Sequence, residues 1–365
     1  GGAARGRICS VAPPKPPPLA RYLLAAYGLL IAYASLHPLT GWRDQGVEPL
    51  AFLNAPFPRY FTWFDLLANL LAYLPLGFLV VASLGARSNR LVAIAVGILV
   101  GAALSLSMEA LQTYLPSRHP SNLDLATNAC GATLGAVLGA VLKPRVLGPS
   151  GMIGVRERWF LPGGTIDVGL VLIALWWVTQ LNPETLLFGN GSLRDMFDAV
   201  AGQRYDPEVF VRIEAGISAA QLAVIGLIIG GLVVPGRPVW LITAIALVVA
   251  LLVRTVAFAV LFTPVNMFSW ATRGGLLGVA AGIVLLGALG ALPRRVHLAT
   301  AGLMLVCATV FVNLAPVNPY TAHAIQVWRK GHFLTLSGLT EFVSTLWPFA
   351  TLAYLWFASG RRRAP

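Results

Sequence analysis

The sequence predicts an all-α protein, a polytopic bundle of about ten membrane-spanning helices. Its 365 residues are 57% hydrophobic and only 11% charged, and the mean hydropathy is +0.75. A soluble domain usually carries about a quarter charged residues, so this chain has too few to cover a water-facing surface. Repeated apolar stretches of roughly 18–24 residues are each long enough to cross a hydrocarbon core of about 30 Å as a helix.

The predicted spans follow one another closely along the chain. They are residues 19–37, 65–84, 91–114, 124–142, 165–182, 215–234, 239–261, 273–292, 298–314 and 343–360. Within the first span, Ala32-Tyr33-Ala34 resembles a signal-peptidase site. The apolar run before it is long for a signal peptide, so we expect a retained helix.

These spans divide the chain into two membrane regions. Four spans make a first region at 19–142, and about six make a second region at 165–360. We expect a basic, Pro-rich N-terminal segment at 1–18, a cytoplasmic linker at 143–164 and a basic tail at 361–365.

Longer connections are expected on the outer face. Residues 39–63 are aromatic-rich and suit the headgroup zone. Residues 185–212 include a short amphipathic helix at 193–200 that is expected to lie in the interface, and residues 315–342 are expected to form an aromatic-rich re-entrant or surface segment.

Positive charge predicts the orientation. Most of the 26 Lys and Arg residues lie at one set of helix ends, including the N-terminal segment, the 143–164 linker and the tail. Cytoplasmic connections of membrane proteins carry this excess. The sequence therefore predicts that both termini are cytoplasmic and that the chain lies in a bacterial cytoplasmic (inner) membrane. Because this distribution explains the net charge of +12, nucleic acid is not an expected partner.

Cysteine and histidine spacing predicts no metal and no cofactor. The three cysteines, Cys9, Cys130 and Cys307, are far apart, and no two histidines have the i, i+4 spacing of a helical metal site. The glycines follow helix-packing spacing instead. Gly131, Gly135 and Gly139 form a small-xxx-small ladder in the fourth span, which predicts close helix packing.

Polar side chains recur at the outer ends of spans two to four. The i, i+4 or i, i+3 spacing of each pair places its two members on one helix face. Ionisable groups within a membrane span are functional candidates by default, because burying an unpaired charge in lipid is costly. We therefore expect one ligand-binding pocket formed by Asp65, Asn69, Glu109, Gln112, Arg118, Asp124 and Asn128.

Structural roles for the same residues remain open at this stage. Asp65 and Asp124 stand at helix N-termini, where a carboxylate caps free amides. Arg118, in the turn between spans three and four, is the expected partner of Glu109 or Asp124 and would lock these helices together.

At these residues the sequence resembles the VanZ-like family of bacterial membrane proteins. The resemblance covers roughly residues 25–142 and rests on Asn69, Pro75-Leu76-Gly77, Glu109-x-x-Gln112, Arg118, Asp124-x-x-x-Asn128-x-x-Gly131 and Gly135. The family is tied by name to low-level resistance to teicoplanin-type glycopeptides. The resemblance implies that role only as an expectation, and it implies no biochemical activity.

Three functions of different classes fit the sequence. The first is binding or handling of an amphiphile at the outer leaflet, with membrane lipids, a lipid-linked envelope precursor or a glycopeptide as partners. The second is a transporter or scramblase, for which Arg254 and Arg273 are secondary site candidates. The third is an intramembrane enzyme in which Glu109 and Asp124 form an acid/base pair.

Overall fold

The computed structural model describes residues 18–85, 88–147, 151–194, 206–262, 264–315 and 334–361. Its helices are α1 (Pro18–Leu36), α2 (Trp63–Ser83), α3 (Arg90–Gln112), α4 (Asn122–Leu147), α5 (Met152–Trp159), α6 (Gly164–Thr179), α7 (Pro207–Leu232), α8 (Val239–Leu261), α9 (Arg273–Gly290), α10 (Arg294–Leu314) and α11 (Leu334–Arg361). The predicted N-terminal segment up to residue 17, the tail from residue 362, and the parts of the predicted outer-face connections at 195–205 and 316–333 lie outside the described residues.

The all-α polytopic fold is confirmed. In the described part of the chain, nine helices are long and apolar enough to cross a membrane. The remaining predicted span corresponds to α6, which has only 16 residues and is therefore about 24 Å long. The end of the bundle where α1 ends and α2 begins is called the outer end below, following the predicted orientation.

Two helices begin well before the predicted spans. α7 begins at Pro207 rather than near residue 215, and α11 begins at Leu334 rather than near residue 343. The side chain of Asp206 caps α7 by accepting the N–H groups of Glu208 and Val209. Charged residues in the first turns of α7 lower the local hydropathy without interrupting the helix, so hydropathy alone places the start too late.

Glycines bring the helices of the first region into backbone contact. α2 packs along α4, and α3 packs against both. A Cβ at Gly131 would lie 2.3 Å from the Leu70 carbonyl oxygen, and one at Gly77 would lie 2.0 Å from that of Ala132. Both positions can therefore hold only glycine at the present helix separation. At Gly131 the small-residue ladder of the fourth span predicts this close packing.

The second region is built around α7. Of the most apolar window of this helix, 83% is buried, which fits a helix that is hydrophobic on all sides. α9 and α10 pack on it most extensively, and α6 and α8 add further contacts. The apolar core here includes Trp176, Leu222, Ile225 and Trp347.

α1 joins the two regions. It contacts α2 and α3 on one side and α6 and α11 on the other. Near the outer end, the Tyr33 ring stacks on Phe342 of α11 at 4.1 Å between centroids. The His37 ring lies so close to Gly338 that a Cβ there would be 2.2 Å from His37 Cε1.

Candidate functional site at the outer end of α2, α3 and α4

The first turn of α2 positions Asp65. Thr62 is the N-cap, and its hydroxyl oxygen accepts the Asp65 N–H at 3.1 Å. The same hydroxyl donates to Asp65 Oδ2 at 2.7 Å. Asp65, Asn69 and Tyr73 follow one another at i, i+4 spacing, so they share one face of α2.

Glu109 connects the end of α3 to the start of α4. Its side chain is only 4% exposed, and its Oε2 accepts the Ser121 N–H at 2.8 Å. The Ser121 hydroxyl in turn accepts the N–H groups of Leu123 and Asp124. A carboxylate at a helix N-terminus satisfies otherwise free amides, so Glu109 stabilises the α3–α4 turn.

A second layer of polar groups lies deeper between the helices. Asn128 is buried, and its Nδ2 donates to the Ser105 hydroxyl at 3.0 Å. The Tyr73 side chain lies beside the same serine. Asn128 Oδ1 and the Tyr73 hydroxyl are both buried, and neither has a hydrogen-bond partner among the described residues. Sequence reasoning missed Tyr73, although its i, i+4 spacing from Asn69 was the available signal.

The carboxylates of the three helices lie near one another. Asp124 is close enough to Asp65 and to Glu109 to interact electrostatically with both, and the Asn69 amide lies beside Asp124. Among the described residues, neither Glu109 nor Asp124 forms an ion pair with a Lys or Arg side chain. The arrangement is therefore a partly buried, acceptor-rich cluster.

Arg118 does not form the expected ion pair. Its Nε donates to the His37 carbonyl at 2.8 Å, and its Nη2 donates to the Ala34 carbonyl at 3.3 Å and to the Thr335 hydroxyl at 3.0 Å. Gln112 similarly donates to the Ser35 carbonyl at 2.9 Å. The last carbonyls of a helix lack intrahelical partners and carry partial negative charge, which explains their attraction for these donors.

Burial and neighbouring charges shift the pKa values of Arg118 and His37, where the α3–α4 turn meets the end of α1. Burial lowers the pKa of Arg118, and the nearby Glu109 carboxylate opposes this shift. Burial lowers the pKa of His37 below its ordinary 6.5, and the Arg118 charge lowers it further. Both effects disfavour the charged form of the His37 ring.

Replacing Arg118 with lysine is expected to loosen the junction between the two regions. A lysine ammonium keeps the charge but lacks the planar fork that reaches α1 and α11 together. We expect a loss of about 1–3 kcal/mol in the free energy of unfolding, because buried carbonyls lose their donors. Thermal unfolding in detergent measures it, with Arg43→Lys in the exposed loop as the control; equal unfolding of the two variants would contradict the assigned role.

The secondary candidates lie in the second region and do not meet. Arg254 is 3% exposed and donates to the Asn182 carbonyl and to Thr185. It lies close enough to Glu214 to interact electrostatically, without a direct ion pair. Arg273 is exposed at the start of α9.

The part of the chain that holds the carboxylate cluster matches a known protein family. Residues 22–143 match the family model described as VanZ/LLP1. The first region is VanZ-like. This confirms the resemblance noted over roughly residues 25–142, and every candidate residue of the cluster lies inside the match. The second region, from α6 onward, is a further helical region beyond it. Searches of curated proteins and of solved structures found no match to the chain.

Proposed function

We propose that the VanZ-like region binds the polar head of an amphiphilic cell-envelope molecule at the outer leaflet of a bacterial inner membrane. The observation that carries this proposal is the carboxylate cluster, in which Glu109 and Asp124 approach each other without an ion-pair partner in the described part of the chain. Holding carboxylates together in a partly buried site is costly, and ionisable groups kept at such a place are expected to serve a ligand.

The chemistry of the cluster selects the kind of head group. Carboxylate and amide oxygens accept hydrogen bonds, so the ligand should present hydroxyl, amide N–H or ammonium donors. The clustered negative charge disfavours direct contact with a phosphate, so the sugar or peptide part of the ligand should meet the carboxylates and any phosphate linker should lie away from them. Exposed apolar side chains such as Leu67 and Leu71 continue along α2, beside which an acyl chain can remain in the bilayer. A glycosylated lipid-linked precursor or an acylated glycopeptide of the teicoplanin type has both features.

Neutralising the two carboxylates is expected to weaken binding. For Glu109→Gln/Asp124→Asn we expect at least a tenfold higher Kd, because hydrogen bonds to charged groups contribute about 1.5–3 kcal/mol each. Binding to the purified protein in nanodiscs is measured for teicoplanin and for a lipid-linked amino-sugar precursor. Glu208→Gln is the matched control, because it makes the same change at a side chain that is 84% exposed.

The two ligands distinguish the sources of the head group. Carboxylate-dependent binding of the precursor alone assigns the site to envelope synthesis, and such binding of teicoplanin supports a part in glycopeptide resistance. Expression in a susceptible host then shows whether teicoplanin sensitivity falls. If the double variant binds both amphiphiles as tightly as the Glu208→Gln control, the cluster is structural and the proposal fails.

A transporter or scramblase is the second candidate function. It is favoured by the short helix α6 and by the buried, non-helical residues 186–191 that follow it. Broken helices and irregular backbone within a membrane are typical of transport proteins. The observation concerns the second region and is independent of the carboxylate cluster.

A further inference from the structure

Irregular backbone lies deep inside the second region. Residues 186–191 are all buried and belong to no helix. This stretch belongs to a connection predicted on the outer face, but its backbone groups bond to the surrounding helices. Ser218 of α7 donates to the Leu187 carbonyl at 2.9 Å, and Asn313 of α10 donates to the Gly191 carbonyl at 2.8 Å. Ser218 lies about 16 Å along α7 from its outer end.

Side chains of this segment fill the space beside α7 and α9. Leu187 and Phe188 are 1% exposed, and Phe188 packs on Trp176 at 5.4 Å between ring centroids. A Cβ at Gly275 would lie 3.4 Å from Leu187 Cβ. Residues 182–191 are called the plug below, because they close the bundle here and are not part of any helix.

Arg254 of α8 is a charged contact of the plug. It donates to the Asn182 carbonyl at 3.2 Å, to the Thr185 hydroxyl at 3.2 Å and to the Thr185 carbonyl. Its guanidinium also lies within electrostatic range of Glu214. Glu214 Oε1 accepts the Thr272 hydroxyl at 2.6 Å, whereas its Oε2 has no hydrogen-bond partner among the described residues.

Gln221 lies two turns beyond Glu214 on the same side of α7. Its side chain is fully buried, and neither its Nε2 nor its Oε1 has a partner in the described part of the chain. A buried amide without hydrogen bonds is unfavourable. The closed arrangement therefore leaves hydrogen-bonding capacity unused at Gln221 and at Glu214.

We propose that the plug withdraws towards the outer end and exposes a polar site formed by Glu214, Ser218 and Gln221. Arg254 then exchanges the plug carbonyls for Glu214 Oε2, so each state gives the guanidinium acceptors. Such an exchange produces the two discrete arrangements that a conformational switch requires. Because Glu214 and Arg254 neutralise each other, the opened site takes water and small, net-neutral, hydrogen-bonding solutes.

Cysteine accessibility tests the opening. Ser218→Cys places a thiol under the plug with minimal change in shape. Ala223→Cys is the control, because Ala223 is equally buried on the same helix and its position lies about 140° around the helix axis from Ser218. Both are made with Cys9, Cys130 and Cys307 replaced by serine, and are treated in membrane vesicles with a small, hydrophilic, net-neutral methanethiosulfonate. We expect Ser218→Cys to react at least tenfold faster than Ala223→Cys.

A second variant tests the exchange by Arg254. Glu214→Gln removes the carboxylate that receives Arg254 in the open state, so it is expected to slow modification of Ser218→Cys several-fold. Labelling after denaturation confirms that each thiol is present and unmodified beforehand. Equal, slow modification of Ser218→Cys and Ala223→Cys would show that the plug does not withdraw. An unchanged rate of Ser218→Cys modification in the Glu214→Gln background would show that Arg254 does not move to Glu214 in the open state.

Discussion

Replacing Gly135 with alanine is expected to unfold the VanZ-like region or to prevent the protein from accumulating. An alanine Cβ at this position would lie 1.9 Å from the Leu74 carbonyl oxygen and 2.8 Å from its carbon. The obstacle is backbone, so no side chain can rotate away, and α2 and α4 must separate. We expect a loss of about 3 kcal/mol or more in the free energy of unfolding, at the upper end of overpacking costs.

Thermal or denaturant unfolding in micelles measures this loss. Alanine substitutions at two other glycines serve as comparison variants. A Cβ at Gly139, one turn further along α4, would meet its nearest neighbours at 3.2 Å, so Gly139→Ala should be clearly milder. At Gly287 of α9 nothing lies within 4 Å, so Gly287→Ala should be neutral or slightly stabilising. Equal stability of Gly135→Ala and Gly287→Ala would show that α2 and α4 are not in close contact.

The sequence predicts helix packing well where a repeated residue type has a single common structural cause. Gly131 and Gly135 recur at the spacing of one helix face, and close backbone approach explains glycine on such a face. Helix ends are harder to predict, because hydropathy falls at the first charged residue. α7 continues outward through Arg212 and Glu208, which pair at 3.7 Å as i, i+4 neighbours.

Contacts between distant parts of the chain could not be predicted from spacing. Glu109, Asp124 and Asp65 approach one another because three neighbouring helices share one polar end, which their order along the chain suggests. Arg118 also lies near these acids in the sequence, but it bonds to carbonyl oxygens of α1 more than 80 residues away. Comparing charges alone neglects the carbonyls of a helix end, which compete for the same donor.

Arg156 forms an ion pair that the sequence did not predict. In the sequence it is one of the positive charges that indicate the orientation, and in the structure it also has a specific acidic partner. Its Nε and Nη2 donate to Asp167 Oδ1 at 2.9 and 2.5 Å. Asp167 lies in the first turn of α6 and is 1% exposed. An acid at the start of an otherwise apolar helix was the available signal, but an N-terminal carboxylate is usually read as a cap.

Arg156→Gln is expected to cost about 3 kcal/mol in the free energy of unfolding. Removing one partner of a buried ion pair leaves the other charge buried without compensation, which typically costs about 3–5 kcal/mol. The lower end applies because Arg156 is 15% exposed, so water can reach the site. Arg158→Gln is the control, since Arg158 is exposed and, within the described part of the chain, its hydrogen bond goes to a carbonyl of its own helix. Unfolding in micelles, followed by tryptophan fluorescence, provides the comparison.

Replacing both partners with apolar residues distinguishes the stability that the ion pair contributes from the stability that side-chain packing at the same two positions contributes. Arg156→Met/Asp167→Leu should recover much of the stability lost in Arg156→Gln, because apolar side chains of similar volume carry no desolvation cost. α5 would still be held to the end of α7 by the Leu161 N–H to Leu232 carbonyl bond at 2.9 Å and the Val234 N–H to Trp159 carbonyl bond at 3.0 Å. Full additivity of the single substitutions Arg156→Met and Asp167→Leu in this double variant would show that the pair contributes nothing. A coupling of about 2 kcal/mol would show that the ion pair stabilises the attachment of α5 to the first turn of the short helix α6.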